Sequence, residues 1–168
     1  MKSATVWLSM MAVPLLAVAA MNGSRDESFF KNAAEGGMAE VEAGKLAQQK
    51  GASQAVKDFG AMMVKDHSAA NEKLQALASS EGVKLPSGPS LMQKASGKQL
   101  KMKSGDSFDK SYIKDQIKAH KETVDLFQKE ISSGQDQQAQ QFARATLPTI
   151  QAHLDKINQI AAAAGITP

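Results

Sequence analysis

Apolar positions recur along this chain at alternating steps of three and four residues, the spacing of one face of an α-helix. The pattern is clearest where Val56, Phe59, Met63, His67, Ala70, Leu74 and Leu77 share a stripe. Ser53 is placed to cap that helix, and Gly82, Pro86 and Pro89 stop it. A preceding helix is predicted over residues 27–50, with Phe30, Ala34, Gly37, Val41, Gly44 and Gln48 aligned and Gly51 closing it. That stripe is poor in bulk. Gly36, Gly37 and Gly44 would each cost about 1 kcal/mol against Ala in a free helix. Close approach of a neighbouring backbone offsets this cost.

A third helix follows Asp106, with Phe108, Ile113, Ile117, His120, Val124, Phe127 and Ile131 on one face. Gly134 punctuates it. The fourth starts near Asp136 and aligns Phe142, Thr146, Thr149, His153, Ile157, Ile160 and Ala164. Pro148 lies inside this pattern and predicts a kink one turn before His153. Short turns near residues 51–52 and 133–135 make the helices antiparallel within each pair. The intervening residues 82–105 are numerous enough to cross a helix of roughly 37 Å, about 25 residues at 1.5 Å each. This order predicts an all-α, ferritin-like four-helix bundle with a long second-to-third helix crossover.

Composition agrees with that reading: 42% of residues are hydrophobic, yet only 5% are aromatic, and helix formers dominate. A length of 168 residues allows one domain, assigned to residues 26–164. The absence of cysteine removes disulfides, thiolate zinc sites, iron–sulfur clusters and Cys nucleophiles. No phosphate-binding loop, nucleophile elbow or Ser–His–Asp arrangement is legible.

Residues 1–20 read as a secretory signal peptide, with Lys2, an apolar stretch broken by Ser9 and Pro14, and small residues at Ala17, Ala19 and Ala20. The apolar run is shorter than the roughly 20 residues of a spanning helix. The expectation is therefore an exported, periplasmic chain without a transmembrane helix after processing. Cleavage removes one of the 20 basic residues and no acid, leaving 19 against 17 and a formal charge of +2. That balance does not point to nucleic acid. The crossover is locally basic, with Lys84, Lys94, Lys98, Lys101 and Lys103 and no acid between Glu81 and Asp106. A membrane or polyanion contact is one reading of it. A solvated connection is favoured, anchored over the bundle by Leu91, Met92, Ala95, Leu100 and Met102.

The chain has three histidines, and each occupies a core-facing position on a different helix. If the apolar face covers about a third of each helix, chance produces this roughly 4% of the time. They are accordingly read as a group. His67 and His120 fall at the midpoints of their helices, His153 about 5 Å from its midpoint, and Glu40 about 3 Å. All four can meet in one layer, so His67, His120, His153 and Glu40 are the candidate metal ligands. Three imidazoles and a carboxylate suit one ion of zinc, copper, manganese or iron. The residues three before the histidines are Val64, Ile117 and Ile150, so the Glu-x-x-His motif of di-iron bundles is missing. Asp66 and Asp125 are expected to face solvent. Met38, Met62, Met63, Met92 and Met102 read as packing rather than soft ligands.

The blocks FKNAAEGGMAEVEAGKL (30–46), VKDFGAMMVKDHSAANEKLQALA (56–78), FDKSYIKDQIKAHKETVDLF (108–127) and FARATLPTIQAHL (142–154) resemble the exported bacterial family catalogued as domain of unknown function 4142. The resemblance implies a ferritin-like bundle of the bacterial envelope with no established activity, and Glu40, His67, His120 and His153 lie within its blocks. Residues 87–105 match least. The leading expectation is a metal-binding bundle rather than an enzyme. The alternative is a metal-free interaction or stress module with structural histidines.

Overall fold

The computed structural model describes residues 23–167. The signal peptide assigned to residues 1–20 lies outside the described residues. Five helices follow one another: α1 (Gly23–Lys50), α2 (Gln54–Ser80), α3 (Leu91–Lys101), α4 (Gly105–Ser133) and α5 (Gln137–Ala163). Four are long, and α3 is a short helix within the crossover. The fold is all-α.

Local chemistry sets most boundaries. The Ser53 hydroxyl accepts the Val56 N–H at 3.3 Å, and Asp136 accepts the Ala139 N–H at 2.8 Å. Ser90 and Gln93 form a reciprocal capping box on α3. Helix α5 runs continuously through Pro148.

Packing pairs α1 with α2 and α4 with α5, and also sets α1 beside α4 and α2 beside α5. The crossover spans the bundle, because the backbones of Gly51 and Gly105 meet at one end. At that end Asp109 accepts the N–H groups of Ala52 and Ser53 at 2.9 and 2.8 Å. At the other end Asp26 accepts from Gln135 and Asp136, at 3.0 and 2.9 Å. Each hairpin turn is thus held by a carboxylate from the first helix of the opposite hairpin.

Two of the first helix's glycines behave differently. A Cβ at Gly44 would lie 2.6 Å from the Gly60 carbonyl oxygen, and one at Gly60 would lie 2.7 Å from the Ala47 Cβ. The backbones of α1 and α2 touch here, as expected for Gly44. Gly37 faces the Asn71 side chain instead. Of the expected α1 stripe, Phe30, Ala34, Gly37 and Gly44 are buried and Val41 is half-buried, while Gln48 is exposed; Phe29, Ala33, Glu40 and Ala47 widen the buried face. In α3 only Leu100 is buried, whereas Leu91 and Met92, and Met102 just after the helix, are 85%, 79% and 84% exposed. Of the five expected anchors only Leu100 is buried, and the crossover is held down otherwise by buried Pro89 and by Val83 and Leu85 packed against the core.

The core is divided in two. Towards the α1–α2 turn, Phe59, Met63, Phe108, Tyr112, Ile113, Ile117 and Ile157 pack together. Towards the α4–α5 turn lie Phe29, Phe30, Leu74, Phe127, Ala143 and Ile150. Between them, at mid-height, is a buried polar layer: Glu40, His67, Gln116, His120 and His153. Burying such groups is costly unless something pairs with them.

Candidate metal centre

Three helices supply the histidines: α2 gives His67, α4 gives His120 and α5 gives His153. Each interrupts an apolar stripe, so helical periodicity aims it at the axis. Ring centroids are 5.8 Å apart for His67–His120, 5.4 Å for His67–His153 and 5.5 Å for His120–His153. One nitrogen from each ring lies within 4.8 Å of the other two, the one such cluster among the described residues. An ion bound at about 2.0–2.1 Å would need these nitrogens about 3.3–3.6 Å apart. A contraction of at most about 1.5 Å between any two of them would suffice.

One nitrogen each of His120 and His153 is tethered, and this fixes which of their lone pairs is free. His120 Nδ1 is 3.0 Å from the Gln116 carbonyl oxygen, four residues back on the same helix. A carbonyl only accepts, so Nδ1 carries the proton and Nε2 the lone pair. His153 Nε2 likewise donates to the Asp66 carboxylate at 3.0 Å, leaving its Nδ1 as the acceptor. The buried ring nitrogens without a protein partner are His67 Nε2, His120 Nε2 and His153 Nδ1. Imidazole ligands with one nitrogen tethered and the other free are the usual arrangement around a metal.

Electrostatics favour the neutral form of His67 and His153. Burial, reinforced by His120 and His153, lowers the pKa of His67 to about 3. Burial also lowers that of His153, against the pull of Asp66. Neutral imidazole is the form that binds a metal.

Glu40 is 7% exposed and accepts a hydrogen bond from Gln116 Nε2 at 2.6 Å. It stands outside the cluster of mutually close donor atoms and reaches His120 through Gln116. Burial raises its pKa, opposed by His120 and Gln116. Tyr112 lies in the same region: its hydroxyl is buried without a partner, and burial together with Glu40 raises its pKa.

Two contributors escaped the sequence reading. Asp66 was expected in solvent but is only 29% exposed and bonds His153. Adjacent helical residues diverge by about 100°, so Asp66 stands on the flank of α2, where α5 passes. Gln116 offered a signal, being a polar residue one turn before His120 on a largely apolar face. Asp125 is exposed, as expected. Of the methionines, Met63 is buried beside Phe59, Met92 and Met102 are exposed, and none is required by this geometry.

The family model described as domain of unknown function (DUF4142) matches residues 12–160. The chain belongs to this family. No curated protein matches it. Among solved structures, a Streptomyces coelicolor DUF305 protein described as secreted is similar in fold, with a TM-score of 0.72 at 12% identity, over 86% of this chain and 96% of that one. A conserved hypothetical protein from Mycobacterium tuberculosis, rv2844, gives 0.68 at 17% identity, over 88% and 97%. CopM in its Cu(I)-bound form gives 0.66 at 14% identity, over 82% and 95%. At these identities the likeness concerns the fold alone. Within this DUF4142 protein, no described helix is long and apolar enough to cross a membrane.

Proposed function

We propose that this DUF4142 protein is an exported bundle that binds one first-row transition-metal ion through His67, His120 and His153. The observation that carries the proposal is the convergence of three buried ring nitrogens, while the second nitrogens of His120 and His153 are tethered. Asp66 and Gln116 orient the ligand rings. Glu40 supplies a nearby carboxyl group to balance the ion's charge. Nitrogen donors without thiolate accept copper or zinc, and affinity in such sites peaks at copper(II). The Cu(I)-bound state of the similarly folded CopM makes copper the first ion to test. A bound copper ion would supply a one-electron couple, and the protein contributes the dry, orienting surroundings.

The test uses protein purified from the exported fraction without a His-tag, with metal content measured by mass spectrometry and affinity by competition with a chelator. One equivalent per chain is expected, with His120→Ala reducing specific binding at least 100-fold while the bundle stays folded. Equal metal retention by wild type and variant would overturn the proposal and leave a helical module with structural histidines.

A further inference from the structure

We propose that the three-histidine centre is open on one side, where a bound ion would accept an exogenous ligand of one to three heavy atoms, water included. This rests on the metal-binding reading above. Protein sites that close a tetrahedral ion supply four ligands, whereas sites with three keep the fourth position for water or a reactant. Which kind this is depends on what borders the histidine layer.

The two borders differ. Towards the α1–α2 turn, Phe59 closes the layer, with its ring centroid 6.2 Å from that of His120 and 6.4 Å from that of His153. Met63, Ile117 and Ile157 continue the apolar packing behind it. Towards the α4–α5 turn there is a cavity of about 50 Å3, walled on the inside by His67 and His153. On α1, α2, α4 and α5 it draws on residues 32–40, 66–74, 123–127 and 142–153, which from the histidine layer extend towards that one end. One water needs about 10–15 Å3 on this measure, so the space admits a few waters or a linear triatomic ion but not a larger molecule.

Gly36 and Gly37 form the cavity wall on α1, beside Ala70 and Asn71 of α2, with the Asn71 side chain filling the space at Gly37. A Cβ at Gly36 would meet nothing within 4 Å. Side chains of ordinary size at Gly36 would cover this wall, and glycine leaves it bare. Glu40 and Asn71 add polar groups to a largely apolar lining, a mixture that suits a small ligand held chiefly by the ion.

Cobalt(II) and azide provide the test, since visible absorption of cobalt(II) reports its coordination. The chain lacking residues 1–20 is loaded with one equivalent of cobalt(II) and titrated with azide, then separately with imidazole. Saturable spectral change with azide, and at least tenfold weaker binding of imidazole, are expected. Gly36→Trp and Ala70→Leu should each weaken azide at least tenfold while changing cobalt affinity less than twofold, with circular dichroism confirming the fold. Cobalt bound at one equivalent but insensitive to azide would overturn the open side and leave the metal site standing. Imidazole binding as tightly as azide, or azide affinity unchanged in both variants, would overturn the cavity as the route. Failure to bind cobalt or copper would remove both proposals together.

Discussion

The Asp66 carboxylate on α2 accepts the Nε2 proton of His153 on α5, 3.0 Å away across the helix interface. This bond selects the tautomer that leaves His153 Nδ1 as the free acceptor. Its removal should leave all three rings present but one of them unoriented. Outer partners of this kind are typically worth 10–100-fold in metal affinity. Asp66→Ala should therefore lose that much copper or zinc affinity, less than His153→Ala loses, in the same chelator competition. Equal losses would mean that Asp66 does more than orient the ring.

Asp109 holds the α1–α2 turn from the opposite hairpin through two backbone N–H groups and is only 9% exposed. Hydrogen bonds to charged groups contribute about 1.5–3 kcal/mol each, with water replacing part of that at a turn. Asp109→Ala should destabilise the bundle by about 2–3 kcal/mol, or roughly 5–10 °C in Tm. Thermal unfolding followed by circular dichroism checks this. A shift under about 2 °C would show that the turn holds itself.

Glycine positions separate contact from open space. Gly60→Ala would push a Cβ to 2.7 Å from both the Ala47 Cβ and the Gly44 carbonyl oxygen, neither of which can rotate away. The expected loss is about 1–3 kcal/mol. Gly36→Ala meets nothing and should stabilise by about 0.5–1 kcal/mol through helix propensity. Chemical denaturation of the two variants should move the midpoint in opposite directions.

Glu130 and His67 give stability two opposing pH dependences. Burial, with Asp26 and Asp136 adding to it, pushes Glu130 up to about 7 from an ordinary 4.5. The folded state thus holds this proton more tightly than the unfolded chain. That contribution is fully present below pH 4.5 and is lost as pH rises through 7. His67 is displaced the other way, to about 3 from 6.5. Its contribution is full above pH 6.5 and is lost as pH falls towards 3. Glu130→Gln removes the first dependence only, so Tm at pH 8 relative to pH 5 should be higher in the variant than in wild type. An unchanged difference would place Glu130 in water.

Much of the bundle was legible from spacing. Three- and four-residue steps located the four long helices, Ser53 and Asp136 marked two starts, and Gly82 one stop. A rise of 1.5 Å per residue was enough to bring His67, His120 and His153 to one height, and cofacial positions aimed them inward. These are properties of a helix considered alone, so the sequence by itself determined them. How far each helix rotates against its neighbours is not such a property. That rotation left Gln48, Leu91 and Met102 in solvent and brought Asp66 to His153. Likewise Asp26 and Asp109 are ordinary first-turn or near-first-turn acids until the opposite hairpin presents its turn. Helical periodicity encodes an angle about one axis, whereas contact depends on the relative placement of two. Only the tertiary structure decided those contacts.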